Sequence, residues 1–312
     1  MNSFLLALNV VAPLFLLMLL GFLIRRTGML DEHTVKQMNT VTFRILLPTM
    51  LFLNISTCDL SQDFDTGMIL TAAGMSLVSA VITFLLAHLV EKDVGRRASL
   101  AQGMFRNNYI LFGIPIVTAI YGAEATGYIS MLLACIIPLN NIFAVIELQM
   151  IAGKSRSAGK VIKSVLTNPF VLASAAGFLF LFAKIQLPSA VSKAVSNVGN
   201  IANPLSLILL GACLEFHEIR DYRKDILIGV STKLVFLPLL FLPILIAFGC
   251  RGERLITLFI AISTPAAVSS HVMAREMGGD GDLAGHLVVF GTAFSVLTIF
   301  AWICLMDILQ LL

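Results

Sequence analysis

The chain has 312 residues, 58% of them hydrophobic and only 12% charged, with a formal net charge of +3. Soluble domains carry about 25% charged residues, and a mean hydropathy of +0.94 over the whole length leaves more apolar surface than a soluble core of this size can hide. Composition excludes a soluble enzyme, or a soluble domain on one anchor, and points to an all-α integral membrane protein with little outside the lipid bilayer.

The first element is MNSFLLALNVVAPLFLLMLLGFLIRR. It lacks a positive leading region, its apolar run is too long for a signal sequence, and its charge follows the run. It therefore reads as a retained first span. A span needs about 20 mostly apolar residues. Ten such segments follow one another at 4–24, 37–57, 67–90, 98–121, 125–149, 165–183, 190–213, 226–249, 254–276 and 282–310. Loops after spans one, three, five, seven and nine hold 14 of the 21 Lys and Arg residues, and the opposite loops hold four. The positive-inside rule makes the odd-numbered loops cytoplasmic and both termini extracytoplasmic, in a multi-pass protein of the cell membrane.

Prolines recur along these spans. Pro13 and Pro48 lie in spans one and two, Pro169 and Pro204 in spans six and seven, each pair offset by the same 156 residues. Pro115 in span four and Pro265 in span nine are offset by 150. The pairs divide the chain into two five-span halves, 1–149 and 165–312, joined by a short cytoplasmic linker at 150–164. Five is odd, so the second half enters the membrane from the opposite side. Such inverted repeats are characteristic of secondary transporters, which bind substrate near the midplane between discontinuous helices.

Span two, with Asn39 and Asn54, and span seven, with Asn197, Asn200 and Asn203, combine a mid-span proline with amides. Mid-membrane amides also serve as glue between helices. Span four contains RNNYILFGIPIVTAIYG, which places Arg106, Asn107, Asn108, Gly113 and Pro115 inside a hydrophobic segment. Span nine places Ser263, Thr264 and Pro265 in a comparable position. A proline removes one helical hydrogen bond and clashes with the preceding turn. If both helices unwind at their prolines, spans four and nine cross at the midplane. The second half-helices then aim partly positive N-termini at the crossing, which favours an anion; two plain proline kinks are the simpler alternative.

Three basic residues, Arg44, Arg106 and Lys233, also fall within spans, each roughly 12 Å from the cytoplasmic end at about 1.5 Å per residue. They either snorkel to the surface or form an electropositive inner vestibule. The acidic residues Glu147 and Asp307 sit near span ends, which leaves no central carboxylate. His271 is a candidate carrier of a coupling proton, with His286 behind it; a lone membrane histidine is more often a helix–helix hydrogen-bond partner.

No catalytic constellation emerges. Residues 279–282 read Gly-Asp-Gly-Asp, as in intramembrane aspartyl proteases, but that chemistry needs a second buried Asp in a neighbouring span. Asp280 and Asp282 instead read as a loop and a helix start. There is no P-loop and no HExxH or GxSxG motif. The five cysteines form no CxxC pair. The chain is expected to be no enzyme and to hold no metal or cofactor.

The segments NTVTFRILLPTMLF, RNNYILFGIPIVTAIYG, NPLSLILLGACLE, TKLVFLPLL and STPAAVSSHVMAREMGG together resemble the auxin efflux carrier family, which includes plant auxin exporters and bacterial malonate-type permeases. The resemblance spans nearly the whole chain. It implies ten helices in two inverted repeats, a scaffold and a transport domain, helices four and nine crossing at Pro115 and Pro265, and elevator-like transport of organic anions. The long cytoplasmic loop of many plant members is absent, which favours a bacterial small-carboxylate carrier over an auxin carrier.

The expected substrate site therefore comprises Asn107, Asn108, Gly113, Pro115, Ser263, Thr264, Pro265 and Asn54, with Arg44, Arg106, Lys233 and His271 as vestibule or coupling candidates. The expected partners are a small organic anion, the bilayer, a coupling proton ahead of sodium, and a second copy in a homodimer; nucleic acid is not among them. A non-transporting ligand sensor on a transporter fold and an anion channel are the alternatives.

Overall fold

The computed structural model describes residues 2–58, 65–122, 127–153, 158–214 and 219–312. Among these described residues the regular structure is helical throughout. In chain order the α-helices are α1 (Asn2–Arg26), α2 (Glu32–Val41), α3 (Leu47–Ser56), α4 (Thr66–Val90), α5 (Val94–Phe105), α6 (Ile114–Tyr121), α7 (Gly127–Ile151) and α8 (Ala158–Leu166). They continue with α9 (Pro169–Phe182), α10 (Ser189–Cys213), α11 (Ile219–Ser231), α12 (Leu237–Ala247), α13 (Gly252–Ser263), α14 (Ser269–Met277) and α15 (Gly281–Ile308).

Aspartates start four of these helices. Asp31, Asp65, Asp93 and Asp280 accept the N–H of Thr34, Met68, Arg96 and Leu283 at 2.7–2.9 Å, satisfying donors that the first helical turn leaves free. Asp280, from the Gly-Asp-Gly-Asp stretch, is thus the N-cap of α15.

Among the described residues, three π-helical turns, Thr42–Leu46, Tyr109–Gly113 and Thr232–Phe236, lead into α3, α6 and α12. Each ends two residues before a proline, Pro48, Pro115 or Pro238. Proline has no N–H and its ring crowds the carbonyl four residues back; a π turn widens the helix there without breaking it. Pro48 and Pro115 therefore mark bulges, not gaps.

Six helical segments among the described residues are long and apolar enough to cross a membrane, seven if the bent pair 159–166 and 169–182 counts as one. They overlap the spans expected near 37–57, 67–90, 125–149, 165–183, 190–213, 226–249 and 282–310, although the segments at 32–56, 159–182 and 219–247 start five to seven residues earlier than expected. The protein is an all-helical, multi-pass membrane protein. Large apolar side chains such as Leu70, Phe182, Leu239 and Ile308 are exposed, as lipid-facing surfaces require.

Two other expected spans are interrupted. Segment 94–121 is α5, an extended stretch at Arg106–Asn108, a π turn and α6; segment 252–277 is α13, a stretch at Thr264–Val268 and α14. α5 and α13 are each 12 residues long, and their C-caps Arg106 and Thr264 adopt nearly the same extended backbone.

Close helix contacts are set by glycine. A Cβ on Gly21 of α1 would run into the carbonyl of Ile208 on α10, and one on Gly211 of α10 would run into the carbonyl of Met18. A Cβ on Gly177 of α9 would lie 3.2 Å from the carbonyl of Phe52 on α3. Gly21 and Gly177 differ by 156 positions, and so do Phe52 and Ile208. Small residues that let backbones approach are the usual means of packing helices in lipid.

The buried apolar side chains form two large clusters. One holds Tyr109, Phe259 and Val268, the other Phe105, Val272 and Met273. Both interruptions lie where these clusters meet.

Candidate functional site

The interruptions are knitted together. The Asn108 N–H donates to the Pro265 carbonyl at 3.0 Å, and the Tyr109 hydroxyl donates to the Ala261 carbonyl at 3.0 Å. Gln102 Nε2 donates to the Ser270 carbonyl at 3.0 Å. The Ala261 and Pro265 carbonyls beside the second break thus gain donors from the first broken helix, as a break buried in a membrane protein requires.

α5 ends where its last carbonyl, that of Phe105, finds a cationic partner. Lys233 is buried and donates to the Phe105 carbonyl at 3.2 Å and also to Asn107 Oδ1. A lysine ammonium at a helix C-terminus meets the negative end of the helix dipole. Arg106 also turns inward and does not snorkel. It is 4% exposed and donates to Asn141 Oδ1 at 2.6 Å, Ser269 Oγ at 2.8 Å and the Met273 sulfur at 2.8 Å.

A cavity opens beside these residues. Its wall includes Asn54, Arg106, Asn107, Asn108, Asn140 and Asn141, with Ser269 and the apolar Leu51, Ile137 and Phe170. Asn54 Nδ2, Asn108 Nδ2 and both polar atoms of the Asn140 amide have no hydrogen-bond partner. Buried amide groups without partners cost about 1–3 kcal/mol each; here Asn54, Asn108 and Asn140 offer Nδ2 donors to the cavity and Asn140 Oδ1 an acceptor. The cavity offers about 60 Å³ to the centre of a water-sized sphere. One water needs about 10–15 Å³ on that measure, which suits a small solute. Among the described residues, none that lines it is acidic. Tyr109 and Ser269, which begin the helical segments after the two breaks, both line it.

The sequence-derived residues divide accordingly. Asn54, Arg106, Asn107 and Asn108 line the cavity. Gly113, Pro115, Ser263, Thr264 and Pro265 do not; they support it from behind. A Cβ on Gly113 would lie 3.0 Å from Ile129 and 3.4 Å from Ile260, so glycine lets the π turn pack against α7 and α13. Ser263 and Thr264 are buried, and the Thr264 hydroxyl donates to the Ile260 carbonyl at 3.2 Å.

The first break is displaced from its expected position. It begins at Arg106, ahead of Pro115, because the amides Asn107 and Asn108 and the Lys233 clamp end α5 there, while Pro115 enters the first turn of α6, where a missing N–H is tolerated. By chain position after the cap, Pro265 is matched by Asn107, not by Pro115.

Arg44 lies on an exposed face of its π turn and does not reach the cavity. His271 is fully buried; its Nδ1 meets the Gly281 carbonyl at 2.9 Å, tying α14 to α15. Asn140, Asn141 and Ser269 were not singled out by sequence. The available signal was an amide pair two residues after Pro138 within an apolar helix, which repeats the Asn107–Asn108 pattern.

Broken helices around a polar, cation-bearing cavity inside a multi-pass helical bundle define a membrane transporter. A family model described as membrane transport protein matches residues 6–303, and the chain belongs to that family, the auxin efflux carrier family. An "uncharacterized transporter" of Methanothermobacter thermautotrophicus is 23% identical over 302 residues, covering 94% of this chain and 96% of its own. A "putative malonate transporter" of Rhizobium meliloti is 22% identical, covering 93% of each chain. The "uncharacterized transporter YfdV" of Escherichia coli is 21% identical, covering 85% of this chain and 86% of its own. Family and relatives place the protein among transporters, not enzymes.

Proposed function

We propose that the protein is a secondary transporter for small organic anions, mono- or dicarboxylates such as malonate, and that the cavity at the two broken helices is its substrate site. The observation that carries this reading is the set of unpartnered amide donors beside Arg106. A carboxylate accepts from Asn54 and Asn108 and faces a guanidinium, and charge-assisted hydrogen bonds of this kind are roughly twice as strong as neutral ones. Partly positive helix starts at Tyr109 and Ser269 add to the attraction.

The transporter works with ten spans in two inverted halves, 1–149 and 165–312, linked through 150–164. The shared 156-residue offset of the Gly21–Ile208 and Gly177–Phe52 contacts supports this. So does the equal length of α5 and α13, whose caps differ by 158 positions. Movement is elevator-like, with the crossing carried past a fixed scaffold. Both termini lie outside the cell membrane.

Counterflow of labelled malonate in proteoliposomes tests the reading. Saturable uptake, competed by other small carboxylates and not by malonamide, is the expected result. Binding without flux would assign a sensor, and flux without saturation a channel.

A further inference from the structure

Glu147 lies on the same helix as Asn140 and Asn141, six residues beyond Asn141 and about 9 Å further along the axis. It is 5% exposed, and neither carboxyl oxygen has a hydrogen-bond partner. Its side chain borders an apolar groove between α4 and α7, where Leu77, Ala80, Phe84 and Phe143 face it. It also sits in the last turns of α7, which carry no basic residue and where the helix dipole opposes a negative charge. An isolated ionised carboxylate in such surroundings is prohibitively costly, and the group takes up a proton instead.

Among the charged groups described on the elements packed against α7, Arg106 at the end of α5 is the one bonded to α7 itself, through Asn141 Oδ1 six residues before Glu147. The other charged groups on those elements are engaged elsewhere. On α14, His271, Arg275 and Glu276 meet the Gly281 carbonyl, Asp282, and Asn39 with Thr40. At the start of α5, Arg96 faces Asp225 and Asp280, and Arg97 donates to the carbonyls of Glu91 and Lys92. His88 of α4 meets the Phe84 carbonyl, and Lys160 and Lys163 of α8 are exposed. On α13, Arg254 pairs with Asp65, and Glu253 lies in the first turn at the opposite end from the break.

We propose that Glu147 is a proton-binding site whose occupancy is coupled through Arg106 to the anion in the cavity. This rests on reading the cavity as an anion site. When the cavity is empty, Arg106 is the available counter-charge for Glu147, and the carboxyl releases its proton to water. When a carboxylate occupies the cavity, it neutralises Arg106, and Glu147 recovers a proton on its carboxylate oxygen. Anion and proton bind together, so an inward proton gradient drives anion uptake. The coupling carboxyl is then Glu147, and His271 is a structural tie.

Infrared spectroscopy of the full-length protein in nanodiscs tests this. With malonate bound at neutral pH, the wild type should show the carbonyl stretch of a protonated carboxylic acid that Glu147→Gln lacks. Replacing Arg106 by Gln, with no ligand present, should keep that band to higher pH by about one unit, a tenfold change. Malonate should act on the wild type in the same sense. In proteoliposomes, the ratio of gradient-driven to exchange uptake should fall about tenfold in Glu147→Gln. Absence of the band, or a band insensitive to Arg106→Gln, would overturn the proposal. If malonate neither binds nor moves while band and Arg106 dependence are present, the anion reading of the cavity fails and the Arg106-linked proton site stands.

Discussion

The backbone N–H of Asn108 donates to the carbonyl of Pro265 at 3.0 Å. This bond joins the two interrupted helices and holds the Asn108 amide at the cavity, where its Nδ2 has no partner. If that donor awaits a carboxylate, Asn108→Ala removes one hydrogen bond to a charged acceptor, about 1.5–3 kcal/mol. Malonate affinity should fall roughly 10–100-fold by calorimetry, with little change in thermal stability, since the backbone bond survives.

Pro265 keeps α13 and α14 apart. In Pro265→Ala, position 265 regains an N–H and loses the ring that keeps the preceding residue out of the helical region. The two helices should then extend toward one continuous rod. Transport should fall while the protein stays folded, and hydrogen exchange at Ala266–Val268 should slow. Unchanged exchange there, with full transport, would contradict a role for the break.

Gly21 and Gly74 form a matched pair. A Cβ on Gly21 meets the Ile208 backbone, whereas one on Gly74 meets nothing within 4 Å. Gly21→Ala should destabilise the protein by about 1–3 kcal/mol through overpacking. Gly74→Ala should be neutral or gain about 0.5–1 kcal/mol from helix propensity. Thermal unfolding in detergent measures both.

Lys233 is buried and ties Phe105 and Asn107. In Lys233→Met the Phe105 carbonyl and Asn107 Oδ1 lose their cationic donor, at about 1–3 kcal/mol for the groups left unsatisfied. The melting temperature and malonate affinity should both drop, because the break carries Asn107 and Asn108. An affinity loss without a stability loss would instead make Lys233 a direct ligand.

The general plan was legible in the sequence because lipid imposes it: spans must be about 20 residues long and apolar, and buried cations and amides stand out against that background. Arg106, Asn107, Asn108 and Asn54 were found for this reason. The exact position of the first break was not legible. It depends on the Lys233 ammonium, 128 residues away in sequence, and no local pattern around Pro115 encodes that contact. Arg44 was misleading because a basic residue in a span looks the same whether it faces lipid or the interior. Glu147 was set aside as a span-end residue because distance from a span end says nothing about partners, and its isolation is visible only in three dimensions.

The most direct test of the central claim is an experimental structure of the protein with malonate bound. The account predicts the anion between the two interruptions, with its carboxylate oxygens within hydrogen-bonding distance of Arg106 and the Asn54 and Asn108 amides. Malonate bound away from both interruptions, with the amides of Asn54 and Asn108 still unpartnered, would contradict it.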